Sequence, residues 1–263
     1  MFKKFLLAVV LSASAGCASV PITGRNQLSL VSDQEINTMA AQEYQKVLQT
    51  SRLSSNAEQT AMVRRVGQRI QQAVETYFRQ QNKSSQLEGY QWEFNLIEDA
   101  QENAWCMPGG KVAVYTGILP ITEDENGLAV VLGHEIAHAV ARHSNERMSQ
   151  QMAAEGLGGV LSAAVGQNPS ATQNVFLQAV GVGSQVGLLK FSRTQESEAD
   201  HLGLIFMSMA GYNPDGAVSF WQRMAAKQQG GNIEFLSTHP SDATRIADIQ
   251  RELPEARKYY TAR

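Results

Sequence analysis

His134 and His138 stand four residues apart with Glu135 directly after the first, inside the otherwise apolar run "AVVLGHEIAHAVARH" at residues 129–143. On a helix, positions i and i+4 lie one turn apart on one face, so both imidazoles can present a nitrogen to a single ion. Glu135 lies beside them, placed to take a proton from a water that such an ion acidifies as the water attacks a carbonyl. A chain of this length meets those three specified positions by chance only about once in a hundred or more. The flanking Leu128, Val130, Val131, Leu132, Ile136, Ala139 and Val140 make a helix for burial. Burying two histidines and a glutamate there without a partner would be costly.

A catalytic ion needs a third protein ligand and an open position. The extension that continues this motif to a glycine and a further histidine finds Ala141 and Ser144 instead, which excludes that class. His143 comes one residue early and points off the ligand face, so it reads as a surface or orienting group. The acidic candidates are Glu146, Glu155, Glu196, Glu198 and Asp200; Glu155 has only Gly159 four residues later. In "ESEAD", Glu196 and Asp200 share a helix face, as a ligand carboxylate and an orienting one would. The expected set for one zinc ion per chain is therefore His134, His138 and Glu196, because two imidazoles and one carboxylate suit zinc. Asp200 would accept the outer N–H of a ligand histidine. Glu198, rotated about 200° from Glu196, is expected to face solvent.

Several elements must hold these groups. "SDQE" at residues 32–35 fits a capping box and predicts a helix to about Leu48. Another helix starts near Asn56, with Ile70, Val74 and Phe78 at helical spacing. Trp92, Phe94 and Leu96 alternate with polar residues as in a half-buried strand, "PGG" at 108–110 is a turn, and "KVAVYTGIL" is a second strand. Helices, a small sheet and helices again predict an α+β domain. The apolar stretch 153–189, broken by "GQNPS", predicts a packed helical hairpin.

With 43% hydrophobic and 18% charged residues, the 263-residue chain can bury an ordinary core. A net charge of −3 and no basic stretch beyond Lys3 and Lys4 give no reason to expect nucleic acid. "MFKKFLLAVVLSASAGC" has the layout of a secretory signal, and Ser14, Ala15 and Gly16 before Cys17 resemble a lipobox. The expected organisation is a lipoprotein signal over 1–17, a flexible tether over 18–31 and a metallopeptidase domain over 32–263, with Cys17 lipidated and the domain at the periplasmic face of an outer membrane. Cys106 is then alone in the mature chain, a small buried hydrophobe with no disulfide partner.

The stretches "NAWCMPGGKVAVYTG", "LGHEIAHAVARHS", "SRTQESEADHLG" and "STHPSDATRI" resemble, in that order, gluzincin metallopeptidases of the CAAX prenyl protease and HtpX type. The branch they look most like holds the bacterial periplasmic and outer-membrane proteases of the BepA and LoiP type, with mitochondrial Oma-type enzymes more distant. The resemblance implies a zincin-like core, mostly helical, with a small sheet whose edge strand lines the cleft. It makes Lys111, Val112, Ala113, Val114 and Tyr115 the edge that pairs with an extended substrate. His239 is assigned either to the oxyanion or to the open position on the ion, and Arg245 also to the oxyanion. The implied activity is a membrane-anchored zinc endopeptidase acting on unfolded or misassembled envelope proteins, with outer-membrane assembly machinery as a candidate partner. The rival reading is a client-binding factor with a masked or structural metal.

Overall fold

A computed structural model describes residues 17–20, 23–154, 169–180, 191–228, 234–239 and 244–261. The first sixteen residues, with the expected signal, lie outside it. β1 (Cys17–Ser19) and β2 (Asn26–Leu28) pair antiparallel. α1 (Asp33–Thr50) starts at the expected capping box of Ser32 and Glu35. α2 (Ala57–Gln80) starts at Asn56, whose side chain accepts the Gln59 N–H, and buries Val63, Val66, Ile70, Val74 and Phe78.

β3 (Glu93–Ile97), β4 (Ala104–Met107) and β5 (Lys111–Tyr115) form one sheet in the order β3-β5-β4. β5 runs parallel to β3 and antiparallel to β4. Lys111, Val112, Ala113, Val114 and Tyr115, expected as an open edge, therefore form the central strand, with both hydrogen-bonding sides taken. The edge toward the histidine helix is β4. The Tyr115 N–H donates to the Asn103 carbonyl, and alternation along the ladder then turns the main-chain groups of Ala104 and Cys106 outward. Gly109 and Gly110, both at positive φ, turn β4 into β5, and a Cβ at Gly110 would lie 2.6 Å from the Trp92 ring.

After α3 (Leu119–Thr122) comes α4 (Glu125–Val140), capped by Asp124 and buried on nearly every side. The chain continues through α5 (His143–Ala154), α6 (Pro169–Val180), α7 (Arg193–Met209), α8 (Gly216–Gln228), α9 (Glu234–Thr238) and α10 (Arg245–Ala256). α4 and α7 form the most extensive helix contact and meet through glycines: a Cβ at Gly203 would lie 2.9 Å from the His134 nitrogen. That close approach brings the ligand-bearing faces of the two helices together. The fold is α+β, mostly helical around a small sheet.

One further expectation changes here. Within the stretch 18–31, expected as a tether, the described main chain finds partners on α5. The Leu30 N–H donates to Ser149 Oγ at 2.8 Å, Asn145 Nδ2 donates to the Val31 carbonyl at 2.9 Å, and Val20, Gln27 and Val31 are buried. Of the predicted hairpin over 153–189, residues 155–168 and 181–190 lie outside the described residues. α6 packs on α5 and buries Val175, Phe176, Ala179 and Val180. Among the described residues no helix is long and apolar enough to cross a membrane.

Candidate metal centre

Where α4 crosses α7, His134 Nε2 and His138 Nε2 come within 3.1 Å of each other. Glu196 brings its oxygens to 3.5 Å from His134 Nε2 and 3.4 Å from His138 Nε2. His239, just past α9, adds Nδ1 at 3.2 Å from His134 Nε2 and 3.0 Å from Glu196 Oε1. Four ligands at zinc–nitrogen and zinc–oxygen bond lengths lie about 3.3 Å apart along the edges of a tetrahedron, which is the spacing found here. All four side chains are buried.

Hydrogen bonding on the outer side fixes which nitrogens face inward. Asp200 Oδ1 lies 2.9 Å from His134 Nδ1, and His143 Nδ1 lies 2.8 Å from His138 Nδ1. With both Nδ1 positions engaged, a neutral ring at each place turns its Nε2 lone pair toward the other, and Glu196 adds carboxylate oxygens, of which Oε2 also meets the Arg245 guanidinium. Imidazole nitrogens and carboxylate oxygens converging on one buried point suit a cation held between them. The residues fit zinc: His134, His138 and Glu196 would hold it, with His239 in the fourth position.

Glu135 sits beside this set, its Oε1 3.4 Å from His239 Nε2 and without a hydrogen-bond partner. Burial pushes its carboxyl above the ordinary range, and His239, His134 and the Cys106 backbone pull the other way. An acid raised in this manner suits both taking and returning a proton. Burial also pushes Asp200 up, but Arg245 and His134 outweigh it and hold the carboxyl low. Arg245 Nε and Nη2 grip Asp200 at 2.8 and 2.7 Å, Nη1 lies 2.9 Å from Glu196 Oε2, and the guanidinium stacks 3.5 Å over Trp221. Arg245, expected at the oxyanion, contacts the two acids.

Of the two roles open to His143 the structure shows the orienting one, while Glu198 departs from expectation. The first turn of α5 places His143 wholly inside the protein against His138, and Glu198 is buried with its Oε2 3.2 Å from His143 Nε2. Burial pushes Glu198 up, yet hydrogen bonds from His143, Thr23 and Arg25 hold it at about 2. The 200° rotation from Glu196 does turn Glu198 off the metal, but onto another part of the protein rather than to water.

The periodicity also left out the aromatic cover. Phe191 lies 3.9 Å from the His138 ring, and Phe235 stacks on His239 at 4.6 Å. The Phe191 N–H donates to the Thr238 carbonyl, so the cover and His239 are tied together. The phenylalanine before "SRTQESEAD" and the one four residues before His239 were the available signals. Lys111 lines a groove of 760 Å³ with Asn37, Glu88 and Gly109, apart from the metal residues. Cys106 is buried, which pushes its thiol up.

The model of peptidase family M48 matches residues 65–253. The mitochondrial metalloendopeptidase OMA1 of Schizosaccharomyces pombe is 40% identical over 242 residues, 90% of this chain and 66% of that protein. OMA1 of Saccharomyces cerevisiae is 40% identical over 187 residues, covering 67% of this chain and 51% of its own length. The beta-barrel assembly-enhancing protease of Escherichia coli is 28% identical over 172 residues, covering 62% and 35%. The chain thus spans between about a third and two thirds of these relatives. The expected place at a bacterial outer membrane is overturned: the relatives at 40% identity are mitochondrial, and the beta-barrel assembly-enhancing protease stands farther off. The lipid anchor expected at Cys17 rests on the residues before it alone.

Proposed function

The chain belongs to peptidase family M48, and on that premise we propose that it is a zinc-dependent endopeptidase that cleaves extended segments of unfolded or misassembled proteins. The observation that carries this reading is the convergence of His134, His138, Glu196 and His239 on one point with Glu135 alongside. Zinc bound there supplies Lewis acidity, polarising a peptide carbonyl and acidifying a water. Glu135 takes the proton of the attacking water and returns it to the leaving amine. Asp200 fixes the His134 tautomer, and Arg245 offsets the charge of Asp200 and Glu196. The outward groups of Ala104 on β4 take the substrate main chain, in place of residues 111–115, while the Cys106 backbone faces Glu135.

His239 fills the fourth position and the phenylalanines close over it, so substrate enters after this cap swings away. Mitochondrial proteins form the substrate pool that the OMA1 likeness favours. The client-binding alternative has no use for a buried base beside the metal, which speaks for the enzyme. The test is zinc content and casein cleavage in Glu135→Gln and His239→Ala. Glu135→Gln should keep zinc and lose cleavage by at least about a hundredfold, and His239→Ala should cleave faster than the unsubstituted chain. Cleavage retained in Glu135→Gln would remove the proposed mechanism.

A further inference from the structure

The two ligand histidines are backed in parallel ways. Behind His134 stands Asp200, gripped by Arg245. Behind His138 stands His143, then Glu198, and then Arg25, which comes from the turn between β1 and β2. Arg142, at φ 61°, reverses the chain between α4 and α5 and folds His143 back under His138.

Glu198 is held on both oxygens. Thr23 Oγ1 donates to Oε1, while Arg25 Nε donates to Oε2 at 2.7 Å, the same oxygen that His143 Nε2 approaches. The other end of the Arg25 guanidinium forks onto Glu146 of α5 at 2.7 and 2.8 Å. Residues 23–25 therefore bolt α5 to α7 at a point directly behind the metal residues. Both acids are buried, and Arg25 is the partly exposed member.

Directionality then sets a tautomer. The Glu198 carboxylate can only accept, so His143 carries its proton on Nε2 and leaves Nδ1 as a lone pair. That lone pair accepts from His138 Nδ1, and His138 Nε2 is left bare and aimed inward. Without a fixed acceptor at Glu198, His143 is free to carry its proton on Nδ1. His138 would then have to accept at Nδ1 and place its own proton on Nε2, where a ligand lone pair is needed.

We infer that Arg25, Glu198 and His143 are positioning residues that lock His138 in its metal-binding tautomer and orientation, making the strap of residues 23–31 a working part of the metal centre. This rests on the reading of His138 as a zinc ligand. The strap acts through Glu198 and His143 and touches neither the ion nor the substrate. A change that lifts the strap would weaken the metal site without altering any ligand.

The full chain tests this with Arg25→Met, Arg25→Lys, Glu198→Gln and Glu146→Gln. Zinc affinity is read by competition with a chromogenic chelator, the ligand field by the visible spectrum of the cobalt-substituted protein, and fold stability by melting of the metal-free protein. Loss of an outer partner of a ligand histidine weakens metal binding by about 10- to 100-fold. Glu198→Gln and Arg25→Met should both fall in that range with shifted cobalt bands. Arg25→Lys, which keeps the charge without the fork, should lie between them and the unsubstituted chain. Glu146→Gln, which loosens the strap but leaves the Arg25–Glu198 contact, should lower metal-free melting with less than half the effect on affinity in logarithmic terms. Unchanged affinity and cobalt bands in Arg25→Met and Glu198→Gln, with melting lowered equally in all variants, would reduce the strap to a structural clamp and overturn the inference. If the unsubstituted chain takes up no zinc, the metal centre itself is misread and the relay falls with it.

Discussion

His201 follows Asp200 in the chain yet serves a different surface, its Nδ1 3.3 Å from Glu252 Oε2 on α10. The hydrogen bond to Glu252 raises its pKa, and burial lowers it by less. A histidine raised above the value of about 6.5 that it has in the unfolded chain stabilises the fold fully below that pH, and the contribution fades as pH climbs through the folded value. For a pair that solvent still reaches, the contribution stays under about 1 kcal/mol. Urea unfolding midpoints between pH 5.5 and 9 should therefore decline less with pH in His201→Gln than in the unsubstituted chain; parallel curves would mean the pair contributes nothing. At this scale the helical spacing of His134 with His138 and of Glu196 with Asp200 made four side chains legible in the sequence. Glu198 was misjudged, and His143 left between two roles, because an angle on a helical wheel says which way a side chain points and not what waits there. Arg25 meets Glu198 across 173 residues of sequence, and no local period encodes that contact.

The elements place the donors by close approach. Gly133 and Gly203 let α4 and α7 touch backbone to backbone, where a methyl at position 203 would press on main-chain atoms of both residues 133 and 134. Alanine in mid-helix gains about 1 kcal/mol over glycine in intrinsic propensity. Here the obstruction is rigid backbone rather than a flexible side chain, and overpacking of that kind costs about 1–3 kcal/mol. Gly203→Ala should destabilise on balance and also weaken zinc binding, since α7 carries Glu196. Melting and chelator competition on one preparation check both effects, and an unchanged pair of values would show that the helices separate without consequence. The sheet taught the opposite lesson. "KVAVY" has the strongest β-forming run and so occupies the centre, with Val112, Ala113 and Val114 all buried. A continuous apolar run is the pattern of a strand covered on both faces, and that signal argued against an edge. β4, with its tryptophan and cysteine before a Pro-Gly-Gly turn, gave too short a pattern to stand out.

For the molecule as a whole, the metal residues tie together parts that the sequence keeps far apart: α4, the start of α7 and the stretch after α9 that ends in His239. Each contributes groups that gain little from one another without a cation, since buried lone pairs and carboxylates facing inward repel. An ion that binds only the folded chain stabilises it by about 4 kcal/mol at a thousand times its dissociation constant. Zinc should accordingly raise the melting temperature by several degrees, about 2–4 °C for each kcal/mol in a chain of this size, and a chelator should reverse the shift. His239→Ala keeps the other three donors but unties the stretch carrying Phe235 from the helices. Its zinc-dependent shift should be smaller than that of the unsubstituted chain, even as its cleavage rate rises. An equal shift in both proteins would mean that His239 stands beside the ion without binding it, leaving the phenylalanines alone to close the site. Stability and activity are thus expected to move in opposite directions at this one residue, because the contact that completes the metal's coordination is the contact that substrate must displace.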